Sequence, residues 1–290
     1  MSTVLVTGAS GFVGGHLARR LRHDGTEVHA LLRPGSEAGD LERHGVVLHR
    51  SDDLAGLLQR IGCQRIYHLA ALYIAEHKPD EVDALIDANI RFGAHLLEAM
   101  AASGCKVLVS AGTAWQNFSD ADPSPVNLYA ATKSAFDCLI DYYAATHGLC
   151  AVTLRIHDSF GPGDRRRKLL TVLREAAADG RRLDMSEGAQ ILCPAHVDDI
   201  AEAFIAAGDQ ATAGHQSFAV PGPQEISLKD FVALVERLTG RPIEVAWGAK
   251  PYRKREVMQP WHGPALPGWQ PRIGLEDGLR AALRETPCSP

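Results

Sequence analysis

The chain has 290 residues, of which 46% are hydrophobic, and its 35 acidic residues outnumber 30 Lys and Arg to give a formal net charge of −5. This composition is typical of a globular protein with a sizeable core, and it excludes disordered and fibrous chains. The weakly acidic balance also gives no overall electrostatic reason to expect a nucleic-acid partner.

Up to residue 155, short apolar runs of strand length alternate with segments of helical period. The predicted strands are Val4–Thr7, Val28–Leu32, Val46–His49, Arg65–Leu69, Lys106–Val109 and Cys150–Arg155, and the predicted helices are Phe12–Arg22, Glu81–Ala102 and Leu128–His147. Buried strands in this alternating order predict an α/β fold with a doubly wound parallel sheet of the Rossmann type.

After Gly161-Pro162-Gly163 the order becomes less regular, with helices predicted at Leu169–Ala178, Asp198–Ala207 and Leu228–Leu238. We expect a dinucleotide-binding domain over residues 1–160 and a smaller α/β substrate lobe over 161–290, with 190–210 folding back onto the first domain. Six cysteines stand singly, no secretory signal is evident, and no apolar run reaches the ~18 residues that span a bilayer. These features predict a cytoplasmic protein with reduced thiols and no membrane partner.

The turn after the first predicted strand is rich in glycine, with the sequence Thr7-Gly8-Ala9-Ser10-Gly11-Phe12-Val13-Gly14. Glycines permit a tight turn and let the backbone approach a pyrophosphate, whose charge is then stabilised by the N-terminus of the following helix. The position between a strand and a helix predicts a dinucleotide site; a turn with only a packing role is the alternative. The cofactor-binding candidates of this turn are Gly8, Ser10, Gly11, Phe12, Val13 and Gly14.

The second predicted strand ends in Val28-His29-Ala30-Leu31-Leu32-Arg33, without an acidic residue. An acid at this place accepts hydrogen bonds from the ribose of NAD, whereas an arginine can accommodate the 2′-phosphate of NADP. Arg33 therefore favours NADP(H), with NAD(H) as the alternative if Arg33 is a solvated loop residue.

Tyr129 and Lys133 lie four residues apart in a predicted helix. This spacing places both side chains on one helical face, where the ammonium group would lower the pKa of the phenol and make Tyr129 an acid or base. Such pairs are common by chance on solvated helices, so it is the combination with the glycine turn that indicates catalysis.

Together these two motifs resemble the extended short-chain dehydrogenases/reductases, the NAD-dependent epimerase/dehydratase enzymes that act on nucleotide sugars. The resemblance covers nearly the whole chain, and Asn89 stands where the family has a structural asparagine. Further matching segments are Gly161-Pro162-Gly163-Asp164, His196–Ala201 and Leu266–Pro271. The resemblance implies that Asp52, Asp53 and Leu54 contact the adenine, that Leu69, Ala70 and Ala71 line the cofactor, and that Lys133 also holds the nicotinamide ribose.

Within this branch, residues 113–116, 127–133 and 251–258 are most similar to reductases of CDP-linked 4-keto-6-deoxyhexoses, of the abequose and paratose synthase type. The similarity implies that Arg253 binds the sugar-nucleotide diphosphate, which suits the planar set of donors of a guanidinium group. The alternative is that Arg253 lies in a basic surface loop.

The chain departs from the family at the third catalytic residue, a Ser or Thr after the fifth strand, because a gapless comparison places Ala111 there. Thr113 and Ser110 remain as substitutes for substrate contact, and we favour Thr113, two residues further along the loop. Trp115, beside it, is the better substrate-contact candidate among the tryptophans.

A second departure is Asp158, where many relatives carry an Asn that contacts the diphosphate. Because an acid would repel a pyrophosphate, Asp158 is predicted to bond a sugar hydroxyl or an arginine of the cluster Arg165-Arg166-Arg167-Lys168. That cluster is either a phosphate clamp, with Arg167 or Lys168 as its interior members, or a solvated helix start. The thirteen histidines form no metal-binding spacing, so no metal is expected.

The leading hypothesis is NADPH-dependent reduction of the C4 ketone of a CDP- or dTDP-linked 4-keto-6-deoxyhexose, with Tyr129 as proton donor. The first alternative is a nucleotide-sugar epimerase or dehydratase with tightly held NAD, and the second is a non-catalytic dinucleotide-binding protein. Helices Glu81–Ala102 and Leu128–His147 would pack on one side of the sheet, and relatives pair such helices across a two-fold axis, so we expect a homodimer.

Overall fold

The computed structural model describes residues 2–120 and 123–284, without the side chain of Asp120. In chain order, the strands are β1 Thr3–Thr7, β2 Glu27–Leu31, β3 Val47–His49, β4 Arg65–His68, β5 Val107–Thr113, β6 Cys150–Ile156, β7 Ser159–Phe160, β8 Leu183–Asp184, β9 Ile191–Leu192, β10 Ala195–His196, β11 Gly214–Val220, β12 Ile226–Ser227 and β13 Val245–Ala246. The α-helices are α1 Phe12–His23, α2 Leu54–Arg60, α3 Val82–Ile86, α4 Phe92–Ser103, α5 Leu128–His147, α6 Leu169–Asp179, α7 Val197–Gln210, α8 Leu228–Thr239 and α9 Leu275–Arg284.

The main sheet has seven strands in the order β11-β6-β5-β4-β1-β2-β3. All six pairings in it are parallel. The strand order reverses between β1 and β4, and an open α/β sheet forms its ligand crevice at such a point. The predicted α/β fold with a doubly wound Rossmann-type sheet is confirmed.

Helices cover both faces of this sheet. Buried residues of α1 and α7, such as Leu17 and Phe204, pack in one core with Val4, Val6 and Val109 of the strands. On the other face, residues of α2, α4 and α5 pack with Leu5, Ile66 and Leu108 in a second core. Successive residues of a strand therefore point alternately into the two cores, as expected for a parallel sheet that is covered by helices on both faces.

The predicted helix Glu81–Ala102 is helical along its whole length but not uniformly α-helical. A five-residue π-helical turn, Asp87–Arg91, separates α3 from α4. This turn directs Asn89 into the protein, where it is 1% exposed. Its Oδ1 accepts the Leu72 N–H at 2.7 Å, and its Nδ2 donates to the Leu72 carbonyl and to Thr132 Oγ1, both at 3.0 Å. The interruption therefore supplies a polar anchor for the segment after β4.

The predicted strand Lys106–Val109 is also longer than expected, since β5 runs to Thr113. Ser110 and Ala111 consequently lie inside the sheet, paired with Thr153 and Leu154 of β6, rather than in a loop.

The chain enters the main sheet again after residue 161. Strand β11, which sequence analysis did not identify, pairs with β6 along its full length from Gly214 to Val220, and α7 packs against the sheet beside α1. The main sheet therefore includes residues that lie within the segment 161–290, which we had assigned mainly to the substrate lobe.

The smaller lobe is built around α6, α8 and α9. Its core contains Phe160, Leu173, Phe231, Val235 and Leu279. Three two-stranded sheets frame it, pairing β10 with β7, β12 with β9 and β13 with β8.

Five cysteines are free: Cys63, Cys105, Cys138, Cys150 and Cys193; Cys288 lies outside the described residues. None of the helices in the described residues is both long and apolar enough to cross a membrane.

Candidate active site

The glycine turn lies where β1 meets α1, at the carboxyl end of the central strand. Gly8 has a φ of +72°, and a Cβ there would lie 2.6 Å from the backbone nitrogen of Ala70. A Cβ at Gly14 would lie 2.2 Å from the carbonyl oxygen of Gly8. Both positions therefore require glycine so that β1, α1 and the segment after β4 can pack closely.

Gly11 is the N-cap of α1 and gives its helix no side-chain cap. The first-turn amides after it therefore lack a side-chain acceptor, and Ser10 and Gly11 are exposed. Exposed N–H groups at a helix N-terminus favour an anion such as a pyrophosphate. The turn therefore fits the diphosphate of a dinucleotide, with Phe12 and Val13 half-buried beside it.

The other cofactor candidates surround this turn at the same edge of the sheet. Leu69 and Ala70 are half-buried and lie against Gly8, and Ala71 is exposed. Arg33 is exposed in the loop after β2.

The adenine candidates stand at the start of α2. Asp53 caps this helix by accepting the Gly56 N–H at 2.9 Å, and it pairs with Arg60 at 3.3 Å. Asp52 is exposed, and Leu54 is buried. The Asp53 carboxylate thus has a structural role that the sequence comparison did not indicate.

Tyr129 and Lys133 lie on the first turns of α5. Asn127 caps this helix, since its Oδ1 accepts the Ala130 N–H at 2.9 Å. Lys133 is 3% exposed. Burial lowers the pKa of Lys133 to about 8, against an opposing effect of Asp137 one helical turn further on.

The pKa of the Tyr129 hydroxyl lies well above its usual value. Burial is the main cause, Tyr73 adds to it, and Arg166 opposes it. We had expected Lys133 to lower this pKa, and that expectation is not met, because the groups that shift Tyr129 do not include Lys133. Burial therefore makes the Tyr129 phenol harder to deprotonate than a free tyrosine.

The two candidate hydroxyls differ in environment. Ser110 is 2% exposed, in the middle of β5. Thr113 ends β5 and is half-buried; its Oγ1 accepts the Trp115 N–H at 3.3 Å. The Thr113 N–H donates to Gln116 Oε1 at 2.9 Å, and Gln116 Nε2 donates to Asp137 at 2.7 Å. The strand end that bears Thr113 is thus tied to the helix that bears Tyr129.

Tyr73 is a site residue that sequence analysis did not identify. Its ring lies 5.0 Å from the ring of Tyr129 and 6.1 Å from that of Trp115. Lys168 Nζ stands 5.0 Å from the Tyr73 ring centroid. Tyr73 therefore joins Tyr129 to two predicted substrate-contact residues, Trp115 and Lys168.

In the basic cluster, Arg166 rather than Arg167 faces the site. Arg165 and Arg167 are exposed, which differs from the interior position expected for Arg167. Arg166 pairs with Asp164 at 2.7 Å. Lys168 is half-buried, and its pKa is lowered by burial and by Arg166.

Asp158 is exposed, and its charge raises the pKa of Tyr73 and of Lys168. Asp164, not Asp158, is the acid that pairs with the cluster. Arg253 is exposed, and its Nε lies 3.3 Å from a carboxylate oxygen of Glu76. No group of three or more metal-ligating side chains is found in the part of the chain that the structure describes.

Comparison with known proteins gives a match to the model of the NAD dependent epimerase/dehydratase family over residues 4–220. A probable UDP-glucuronate 4-epimerase of Rhizobium meliloti is 28% identical, with 95% of this chain and 94% of that protein covered. A CDP-abequose synthase of Salmonella muenchen is 24% identical, covering 97% and 96%. The solved structure of MoeE5 with UDP-glucuronic acid and NAD is 25% identical, with a TM-score of 0.85 and 97% and 98% covered.

Proposed function

The chain belongs to the NAD-dependent epimerase/dehydratase family of extended short-chain dehydrogenases/reductases, NAD(P)-dependent enzymes of the oxidoreductase type, and on that premise we propose that it reduces the C4 ketone of a nucleotide-linked 4-keto-6-deoxyhexose. The nucleotide is CDP or dTDP, and the coenzyme is NADPH in preference to NADH. The observation that carries this direction of reaction is the similarity to CDP-abequose synthases, over 89% or more of this chain. The Tyr129 hydroxyl fits this direction, since a phenol that keeps its proton at neutral pH can donate it.

When bound at the glycine turn, the reduced coenzyme supplies the hydride that adds to the ketone carbon. The Tyr129 hydroxyl donates its proton to the ketone oxygen, so that hydride and proton together convert the ketone to an alcohol. The Thr113 hydroxyl donates a hydrogen bond to the same oxygen and stabilises its developing negative charge. Lys133 holds the nicotinamide ribose and supplies positive charge near the phenol after it has lost its proton.

The remaining site residues bind the substrate. Tyr73 and Trp115 offer aromatic faces to the sugar, since their rings lie together beside Tyr129. Lys168, which lies over the Tyr73 ring, and Arg253, whose charge also acts on Tyr73, supply positive charge for the diphosphate. Asp158 accepts a hydrogen bond from a sugar hydroxyl. The similarity to CDP-abequose synthases of Salmonella and Yersinia, over 89% or more of this chain, supports the choice of substrate class.

A nucleotide-sugar 4-epimerase with tightly held NAD is the second candidate. The relatives named UDP-glucuronate 4-epimerase and UDP-glucose 4-epimerase favour it, as does the NAD in the MoeE5 structure. An epimerase begins by removing a proton from the C4 hydroxyl, for which Tyr129 must first lose its own.

The test is coenzyme oxidation followed at 340 nm with freshly generated CDP- and dTDP-4-keto-6-deoxyglucose. We expect consumption that is faster with NADPH than with NADH and that is abolished in Tyr129→Phe, whose ring keeps the packing. Protein isolated with stoichiometric NAD that oxidises neither coenzyme, but interconverts UDP-sugars, would identify the epimerase instead.

We also propose a cytoplasmic homodimer paired through α4 and α5. The outer surface of α5 carries Tyr142, which is 57% exposed, together with exposed Cys138. Light scattering after gel filtration tests the dimer: a mass of twice the 31.3 kDa chain supports it, and Tyr142→Lys should shift the mass toward that of one chain.

A further inference from the structure

Arg166 extends from the substrate lobe to the glycine turn. It lies in the segment between β7 and α6, and its Cζ stands 4.4 Å from the ring centroid of Phe12. Phe12 is the first residue of α1, directly after Gly11, which caps that helix. The guanidinium group is therefore beside the place where the helix N-terminus presents its amides.

The guanidinium is also close enough to the catalytic phenol to act on it. Its charge lowers the pKa of Tyr129 and of Tyr73 against the effect of their burial. A cation that contacts Phe12 and also acts on Tyr129 stands between the glycine turn and the proton donor. A dinucleotide extending from the turn toward Tyr129 would pass this position.

Neighbouring residues fix the orientation of the Arg166 side chain. Nε donates to Asp164 Oδ1, and Nη2 to Asp164 Oδ2, both at 2.7 Å. Nη2 also lies 3.1 Å from the carbonyl oxygen and from Oγ of Ser159. Such a bidentate pair holds the planar fork in one direction.

The remaining nitrogen, Nη1, makes no hydrogen bond to any residue that the structure describes. Nη1 is not one of the buried polar atoms without a partner, and the Arg166 side chain is 34% exposed. The atom is therefore accessible from the surface. Its two N–H groups are therefore left for a ligand while the rest of the fork is held.

We propose that Arg166 is a cofactor-binding residue, contributed by the substrate lobe, whose Nη1 group donates hydrogen bonds to the pyrophosphate of the dinucleotide bound at the glycine turn. This inference rests on the cofactor site proposed above. It assigns the pyrophosphate two sets of donors: the amides at the N-terminus of α1 and a guanidinium group from the opposite lobe. Binding of the coenzyme would then join the lobes before the sugar nucleotide arrives.

The test is the affinity for coenzyme without substrate, measured by calorimetry on protein freed of bound nucleotide. Arg166→Leu keeps an apolar contact for Phe12 and removes the donors. We expect the Kd of NADH, NADPH and ADP-ribose each to rise by about tenfold or more, because a charge-assisted hydrogen bond is lost. Arg165→Leu, at the exposed neighbour, is the matched control and should leave all three values unchanged.

A second variant guards against misfolding. Arg166→Lys keeps the positive charge but loses the planar guanidinium group. The Kd values of the three ligands should therefore rise by the same factor, and by less than in Arg166→Leu. The thermal unfolding transition checks that the variant is folded. ADP-ribose retains the pyrophosphate and lacks nicotinamide, so its response separates contact with the pyrophosphate from contact with the ring.

Three results would overturn the proposal: unchanged affinities, a loss confined to NADPH, or a loss for NADH but not for ADP-ribose. Because no sugar is present in the binding assay, the outcome does not depend on whether the enzyme is a reductase or an epimerase. Absence of coenzyme binding by the unmodified chain would overturn the cofactor site as well.

Discussion

The ring of Tyr73 stands edge-on to the ring of Tyr129, with centroids 5.0 Å apart and planes at 81°. The backbone on either side of Tyr73 is held by two asparagines. Asn89 bonds both polar backbone groups of Leu72, and Asn127 Nδ2 donates to the Ala75 carbonyl at 2.9 Å. The aromatic pair is therefore built on a segment fixed from two helices.

Replacing Tyr73 tests this pair. Tyr73→Ala should lower kcat/KM by roughly three- to tenfold, since an edge-to-face pair contributes about 0.5–1.5 kcal/mol. Tyr73→Phe keeps the ring and should retain most of the activity. If the Phe variant is as impaired as the Ala variant, the hydroxyl of Tyr73, not its ring, has the functional role.

The charge of Lys133 predicts an alkaline limit to activity. Because burial lowers its pKa to about 8, the ammonium group loses its proton as the pH rises through that value, and kcat/KM should fall with it. Lys133→Arg, which stays charged at all accessible pH values, should have lower activity but no decline near pH 8. A pH profile of kcat/KM for both proteins decides this, and an identical decline in the variant would assign it to another group.

The two hydroxyls near the fifth strand should respond differently to removal. We expect Thr113→Val to lower kcat about 10²-fold, the usual cost of losing one donor to a developing oxyanion. Ser110→Ala, inside the sheet, should stay within about twofold of the original activity. Steady-state kinetics of both variants measure this difference, and equal thermal stability of the two proteins is the control. If Ser110→Ala is inactive and Thr113→Val is active, Ser110 is the catalytic hydroxyl instead.

Arg33 predicts coenzyme preference. Its removal in Arg33→Ala should raise the Kd of NADPH about tenfold and leave that of NADH unchanged, since only NADPH carries the 2′-phosphate. Arg43→Ala, at another exposed arginine in the 3-10 turn Glu42–His44, is the control. Equal affinities for both coenzymes in the unmodified protein would contradict the preference for NADP(H).

The buried His68 should make the folded protein less stable in acid. Burial and the charge of Lys133 lower its pKa to about 3, so between pH 6.5 and 3 the unfolded chain binds a proton that the folded chain does not. The free energy of unfolding should therefore fall with decreasing pH, by up to about 1.4 kcal/mol per unit from this residue. His157, with a pKa lowered by burial to about 4, adds a second contribution.

Urea unfolding at pH 7, 6, 5 and 4 measures this slope. His68→Asn keeps a polar partner for Thr7 Oγ1, which bonds His68 Nδ1 at 2.8 Å, and should flatten the pH dependence while lowering stability at pH 7. His77→Asn, at an exposed histidine, should leave the slope unaltered. An unchanged slope in His68→Asn would mean that other groups cause the acid transition.

Much of the main sheet could be predicted because its strands are buried on both faces and therefore appear as short apolar runs. Helix α5 was predicted with its observed bounds, since its apolar positions recur at helical spacing between a capping Asn127 and Gly148. Strand β11 was not, because Gly214-His215-Gln216-Ser217 is polar. In the structure the His215 ring is hydrogen-bonded to Asp141 at 2.7 Å and to Thr153 at 2.8 Å. Partners this distant in sequence cannot be predicted from local periodicity.

The same limit applies to the site. The glycine turn and the Tyr129–Lys133 spacing are local patterns, so sequence reasoning could find them. Tyr73 has no local pattern, since its place depends on Asn89 and Asn127, which are distant in sequence. Arg166 was indistinguishable from its neighbours in a run of three arginines until Asp164 and Ser159 fixed its direction.

The return of β11 to the main sheet means that the two lobes are not separate modules in series. The chain leaves the sheet after β6, returns through α7 and β11, and departs again for α8. The segment near Trp269 returns to α7, where the Asp199 carboxylate accepts hydrogen bonds from the N–H groups of Arg272 and Ile273 at 3.1 and 3.0 Å. A chimera that exchanges only the residues after 160 would also replace an edge strand of its own nucleotide-binding sheet. Transplanting specificity into this scaffold therefore calls for several short segment exchanges, each ending where the chain crosses between lobes.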